Sequence, residues 1–486
     1  MTRPIPESPR AQSRPLPAAV EVPPASGVLP DLETINRLDR AHVIHPITEF
    51  RKHEQQGPRI VVGGRGIELT FGDGRTAIDG FSGLFNISVG HGRREIADAV
   101  TAQMRELAYY PSFWDFGNVP ATRLAERLVG LLPPDRRLTH VLFHSGGSEA
   151  NEANFKFARL YHAVRGKYAK VKIISRRWSF HGATRSAGTA TGILAYHAFV
   201  EQDASHAYFA PPYCYRCEFQ QTYPSCKLAC AHDLEATIER EGPGTVAAVI
   251  LEPVMGTGGI LVPPPDYFES IQEICRRHDV LLILDEVVTG FGRTGKWFGM
   301  EHWNIRPDLV SFAKGISSGY LPLSASVVAD HVYDTIRDEM PDGIPFMFGL
   351  TYNNHPTCCA AGLANIDIIE REGLVENARD VGAHLLTRLR ETFGSSPIVG
   401  EIRGQGLLAA IEVIRDQVSK EPFPNFEDPH DIVADAYQRG LIARAMFQCV
   451  ALSPPLITTR ADVDRMVGIL QAVWPAAERR VLEAAA

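Results

Sequence analysis

The chain has 486 residues, a formal net charge of −8 at pH 7, and is 22% charged and 45% hydrophobic. That length predicts a large domain with a smaller companion and ample core. It carries no basic block and no apolar run near the ~20 residues that span a bilayer, so nucleic acid and membranes are excluded as partners and a soluble, cytoplasmic protein is expected.

Residues 1–33 begin M-T-R-P-I-P-E-S-P-R and are dense in proline. Such a segment buries too little apolar surface to offset its ordering entropy, which predicts a disordered extension. It lacks the apolar stretch of a secretory signal, and Glu7 with the prolines argues against an amphipathic transit helix. Residues 34–89 are read as the first part of a small α+β domain completed by 346–486, with 90–345 as the large domain.

Within 90–345 the runs T-H-V-L-F-H (139–144), V-K-I-I-S (171–175), A-A-V-I-L-E (247–252), V-L-L-I-L-D (280–285) and D-L-V-S-F-A (308–313) are nearly continuous in apolar residues. Runs without period-two alternation suit strands covered on both faces. Helical stretches such as 151–164 and 266–278 are long enough for crossovers, which predicts an α/β domain with a mostly parallel, helix-flanked sheet. Farther on, 356–372 and 374–392 read as helices, and 405–414 and 449–453 as short strands. Ligands of such sheets bind beyond the carboxyl ends of the strands, where S-G-G-S-E-A-N-E (145–152), Glu252, Asp285 and Lys314 all fall.

The residue types at that edge point to pyridoxal 5'-phosphate chemistry. Lys314, in S-F-A-K-G, can condense with an aldehyde once burial and a nearby cationic ring drive off its proton. Asp285, one strand earlier, must stay ionised against a pyridine nitrogen so that the ring accepts electrons. The glycines of S-G-G-S-E-A let backbone approach an anion at a helix start, though the same residues also suit an ordinary capped turn. Phe180, in W-S-F-H-G, suits either a stacking ring or a core phenylalanine. G-F-G-R-T-G (290–295) matches a dinucleotide pattern, but D-E-V-V-T separates it from the strand and no helix opens after it, so it is read as a turn.

Of the eight cysteines, Cys214, Cys217, Cys226 and Cys230 cluster as C-Y-R-C…C-K-L-A-C. Two close pairs can fold over one ion as a tetrathiolate site; free thiols in a folded surface loop are the competing reading, and no metal is the principal expectation.

Taken together, S-G-G-S-E-A-N-E, F-H-G, E-P-V-M-G-T-G-G (252–259), D-E-V-V-T-G-F-G-R-T-G (285–295), S-F-A-K-G and T-Y-N-N-H-P (351–356) resemble the class III aminotransferases, fold type I pyridoxal phosphate enzymes. The resemblance runs from about residue 35 to 475. It implies that Lys314 joins the cofactor covalently, that Asp285 meets the pyridine nitrogen, and that Gly146, Gly147 and Ser148 hold the phosphate. Phe180 and Val287 would cover the two ring faces, and Glu252 would line the substrate side. Thr351 would reach the phosphate of a neighbouring subunit, which implies a homodimer or a dimer of dimers.

Enzymes of the ornithine and 4-aminobutyrate type, and dialkylglycine decarboxylases, resemble one another in a glutamine after D-E-V or D-E-A and an arginine shortly before a C-terminal proline. Here Val288 and Ala451 stand at those places. Arg444 stands where the pyruvate-dependent ω-aminotransferases resemble each other in a mobile arginine, which would grip the carboxylate of pyruvate and withdraw for a bulky amine. Leu84, Phe85, Phe113 and Trp114 are expected to line the donor pocket. The cysteine loop looks most like the taurine:pyruvate and β-alanine:pyruvate branch. The expected partners are therefore an ω-amino acid or amine donor and a keto-acid acceptor. Pyridoxal-dependent mutases or racemases, 2-oxoglutarate-linked transfer and, remotely, a non-catalytic scaffold are the alternatives.

Overall fold

The computed structural model describes residues 31–198, 202–422 and 427–485. Residues 1–30 of the predicted extension lie outside the described residues. The extension as drawn runs too far: Asp31 caps a helix over Leu32–His42, its carboxylate accepting from Glu33 N at 3.1 Å and Thr34 Oγ1 at 2.5 Å. An aspartate just before an apolar-periodic stretch with a glutamate in its first turn is a helix-start signal that the proline-rich stretch before it obscured. The described residues up to Val62, with Phe71–Asp73, form one compact unit; Gly63–Thr70 and those from Gly74 onward form another.

The second unit is built on a seven-stranded sheet in the order Leu138–His144, Ser324–Ala329, Leu309–Phe312, Leu281–Asp285, Val246–Leu251, Lys172–Arg176, His206–Phe209. Only Ser324–Ala329 runs against its neighbours; the other six point the same way. Every residue of Val246–Leu251 and Leu281–Asp285 is buried, as central strands covered on both faces require. Helices Gly147–Val164 and Tyr267–Arg277 are among those that cross over between strands. A four-stranded antiparallel sheet, Val399–Gly404, Ala409–Val413, Cys449–Leu452, Arg444–Met446, follows toward the C-terminus.

Because six strands are co-directional, their carboxyl ends share one edge. Gly146, Phe180, Glu252, Asp285 and Lys314 each lie at or just past such an end, so the topology gathers distant segments there. Among the described residues, no helix is long and apolar enough to cross a membrane.

Candidate active site

Lys314 follows strand Leu309–Phe312 and takes a left-handed backbone conformation, φ +48°. Its Nζ lies 5.6 Å from the centre of the Phe85 ring. Desolvation pushes its pKa down to about 8; Asp285 and Glu252 pull the other way, and Arg444 and Arg293 add to the push. A lysine so placed keeps a substantial neutral fraction near neutral pH.

Asp285 is buried and accepts three hydrogen bonds. Asn151 Nδ2 at 2.9 Å and His181 Nδ1 at 2.8 Å donate to Oδ2, and the Val287 amide donates to Oδ1 at 3.0 Å. Asn151 is oriented in turn, since Ser311 Oγ donates to its Oδ1 at 2.5 Å while its Nδ2 also reaches the His181 carbonyl at 2.7 Å. Oδ1 keeps a lone pair for a further donor. The buried Nε2 of His181 has no partner among the described residues. Asn151 and His181 were given no role in the sequence reading, although both sit inside motifs it singled out. Their spacing from neighbouring motif residues, three past Ser148 and one past Phe180, was the available signal.

Helix Gly147–Val164 opens at Gly146 without a side-chain cap, and the amides of Gly147 and Ser148 make no hydrogen bond among the described residues. A Cβ on Gly146 would meet nothing within 4 Å, whereas one on Gly147 would press on Val287 at 3.1 Å. An open space before uncapped amides at the start of an 18-residue helix suits a phosphate. Ser148 Oγ accepts from the Ala183 amide at 3.1 Å, so its side chain is held by the segment after Phe180.

Glu252 is buried and accepts from the Phe180 amide at 3.2 Å and the Gly256 amide at 2.8 Å. Burial raises its pKa. The Phe180 ring meets Tyr196 edge-on at 5.2 Å, which adds Tyr196 to the site's surroundings.

Arg444 pairs across strands with Ala451, and its guanidinium lies 5.7 Å from the centre of the Phe81 ring. The guanidinium makes no hydrogen bond or ion pair among the described residues. Val288 and Ala451 share one buried apolar cluster with Phe81, Phe85, Met446 and Cys449. Arg293, the other nearby guanidinium, is buried and engaged: it donates to the Pro454 carbonyl at 2.5 Å and to Ser82 Oγ at 3.1 Å.

The four expected pocket residues are not placed together. Phe85 reaches Lys314, but Leu84 is exposed, because the kink at Gly83 (φ +63°) and Leu84 turns successive side chains to opposite sides. Phe113 and Trp114 belong to a turn tied to Thr351 and its neighbours. Tyr109 Oη donates to the Thr351 carbonyl at 2.6 Å, Ser112 Oγ to the Asn353 carbonyl at 3.3 Å, and the Phe113 ring lies against Gly349. Trp114 is 82% exposed and Thr351 is exposed.

Cys214, Cys217, Cys226 and Cys230 are free thiols that border one cavity of about 20 Å³. No three of these sulfurs lie within 4.8 Å of one another among the described residues, so they are not drawn around one point. Burial and the neighbouring thiols push the Cys230 pKa up to about 12. Their loop is docked by Tyr213 Oη and Arg216 Nε, each 2.5 Å from the buried Glu412 carboxylate.

A family profile described as Aminotransferase class-III matches residues 50–474. The diaminobutyrate–2-oxoglutarate transaminase of Halomonas elongata is 41% identical, over 88% of this chain and 93% of that one. The taurine–pyruvate aminotransferase of Bilophila wadsworthia is 37% identical, over 91% and 97%. Among solved structures, an (S)-enantioselective omega-transaminase from Thermomicrobium roseum superposes with a TM-score of 0.88 at 41% identity, over 92% of this chain and 98% of that one. The omega transaminase of Pseudomonas jessenii in complex with PMP gives 0.89 at 35%, over 92% and 99%.

Enzymes of this family depend on pyridoxal phosphate, and the residues at the sheet edge fit it: an amine of lowered pKa, an anchored carboxylate with spare acceptor capacity, and an open cradle of uncapped amides. With the fold, the sheet-edge residues and the match along most of its length in agreement, the chain belongs to the class III aminotransferases.

Proposed function

We propose that this transaminase uses pyruvate as its amino acceptor and an ω-amino acid or amine of the taurine or β-alanine kind as its donor. The observation that carries this reading is Arg444. It is a half-buried guanidinium beside the Phe81 ring and an apolar cluster, without an ion pair among the described residues, and its charge adds to the lowering of the Lys314 pKa. A substrate with one carboxylate satisfies that cation. A second carboxylate, as on 2-oxoglutarate, would find Val288 and Ala451 where a glutamine and an arginine would be wanted, and desolvating an unpaired charge there is costly. The pyruvate-linked relative from Bilophila supports this choice, and the 2-oxoglutarate-linked relative from Halomonas makes the acceptor the point to test.

Bound pyridoxal phosphate would supply an electron sink for the charge left when a donor C–H bond breaks. Lys314 would hold it covalently and then, as a neutral amine, take the donor proton and return it one step later. Asp285, fixed by Asn151 and His181, would accept from the ring N–H; Gly147 and Ser148 would grip the phosphate. Phe180 and Val287 would confine the ring between them. Phe85 and its cluster would keep water from Lys314. Thr351, Phe113 and Trp114, held together on one surface, would complete the site of a second subunit in a homodimer.

The visible absorption of the holoenzyme tests the acceptor. Taurine or β-alanine should bleach the band, and pyruvate should restore it while 2-oxoglutarate does not. Restoration by 2-oxoglutarate as fast as by pyruvate would overturn the reading.

A further inference from the structure

The N-terminal unit contains two helices, Leu32–His42 and Phe50–Gln56, and neither buries a single residue. Short helices with no fully buried residue gain little from hydrophobic burial within the chain, so a further clamp would add to their stability. Between them stands a cluster: Asp39 from the first helix, His45 from the connecting stretch, and His53 from the second. His45 Nε2 lies 2.8 Å and His53 Nε2 3.4 Å from the same oxygen, Asp39 Oδ1, and all three donor atoms lie within 4.8 Å of one another. The two imidazole centres are 4.5 Å apart with their planes tilted by 39°, so the nitrogens converge without stacking face to face.

A second observation bears on what the cluster holds. His53 Nε2 is buried and makes no hydrogen bond, the longer approach to Asp39 being too poor to satisfy it. A buried, unsatisfied imidazole nitrogen beside a histidine and a carboxylate is a position a cation would satisfy. Nitrogen and oxygen ligands of one tetrahedral ion, each at ~2.0–2.2 Å, sit roughly 3.3 Å apart, a value that the two observed distances of 2.8 and 3.4 Å fall on either side of. His45, the most exposed of the three at 35%, gives an ion a way in from solvent.

We infer that Asp39, His45 and His53 form a binding site for a divalent transition-metal ion, zinc by the chemistry of its donors, which clamps the two N-terminal helices together. Two imidazoles and one carboxylate suit zinc and its neighbours in the first row rather than calcium or magnesium, which take oxygen ligands. Three protein ligands leave a fourth position for water. The four thiols of the 214–230 loop are the rival location, which their spacing does not support.

The full-length holoenzyme, stripped with a chelator and dialysed against zinc, should take up one equivalent per chain. X-ray absorption at the zinc edge should show only nitrogen and oxygen neighbours at ~2.0 Å. His53→Gln and Asp39→Asn should each weaken zinc binding at least 10-fold, whereas Cys214→Ser with Cys217→Ser should leave it unchanged. A sulfur shell at ~2.3 Å, no bound zinc, or unchanged affinity in either ligand variant would overturn the assignment. The absorption measurement uses the unaltered protein, so it decides even where a variant folds poorly.

Discussion

Replacing Arg444 by alanine removes the guanidinium from Phe81 and, in the proposed complex, from the carboxylate of pyruvate. The resting contact is cheap: a cation over a ring at 5.7 Å contributes roughly 0.5–1 kcal/mol at a half-exposed site. A two-pronged, charge-assisted pair with a carboxylate in a partly desolvated pocket is worth about 2–3 kcal/mol, the lower part of the range for buried pairs. The arginine therefore gains by leaving the ring for the substrate, and its loss should lower kcat/KM for pyruvate roughly 30- to 150-fold at ~1.4 kcal/mol per factor of ten. For a donor without a carboxylate only the ring contact is lost, so kcat/KM should change less than about 5-fold. Steady-state kinetics with pyruvate and with an uncharged-tailed amine, each varied against saturating partner, separate the two. Arg444→Lys should recover only part of the loss, because an ammonium keeps the charge but not the fork. Equal losses on both substrates, or a pyruvate loss under about 3-fold, would remove Arg444 from this role.

Gly146→Ala should weaken pyridoxal phosphate binding while leaving the cofactor-free protein as stable as before, since the new methyl meets nothing in the chain; equilibrium dialysis with a parallel melting curve checks both halves. Gly147→Ala should instead displace Val287, costing stability with or without cofactor by roughly 1–3 kcal/mol. In the cofactor-free protein Lys314 carries a folded pKa of about 8 against an ordinary 10.5. Between those values the unfolded chain binds the extra proton, so this group makes stability rise with pH from 8 to 10.5; below pH 8 the whole burial penalty, on the order of 3 kcal/mol, stands. The melting temperature of wild type relative to Lys314→Met should be flat below pH 8 and climb above it, and a flat difference throughout would show that Lys314 is not desolvated.

The five apolar runs read from the sequence are all strands, within a residue or two at each end; four are interior strands, apolar because both faces are covered, and Leu138–His144 is an edge strand only partly buried. Ser324–Ala329 went unread for the converse reason. Its small and hydroxylated residues form no hydrophobic run, yet Ser324 Oγ donates to the Gly146 carbonyl and Ser326 Oγ to that of Ala150, so the strand is polar where it supports the helix behind the phosphate cradle. His206–Phe209 and Val399–Gly404 were too short or too mixed to register. At the candidate site, Lys314 and Asp285 stand out in the sequence because a lysine and an aspartate at the ends of buried strands are chemically unusual, and the structure places both at that sheet edge. Asn151 and His181 are hydrogen-bonded to Asp285, and which polar side chain turns toward a buried carboxylate is decided by packing. Phe85 reaches Lys314 while Leu84 faces solvent, and the positive φ angles at Gly83 and Phe85 that separate the two neighbours cannot be read from residue type.

The distinction between acceptors shows most plainly what register adds to composition. In sequence, Ala451 and Arg444 are two separate departures, one cation missing and another present seven residues earlier. In the C-terminal sheet they are a single exchange, because Arg444 lies directly across from Ala451, so that both side chains stand on the same face of adjacent strands. A cation has in effect been moved one strand sideways over a floor formed by Phe81, Phe85, Val288 and Met446. From an edge strand a long side chain can park on an aromatic ring and return, whereas an arginine at 451, on a strand paired on both sides and wholly buried, would be fixed. In the proposed reaction, an acceptor with one carboxylate and a donor with none in that place would demand a charge that comes and goes, and an edge strand beside an aromatic ring would supply it.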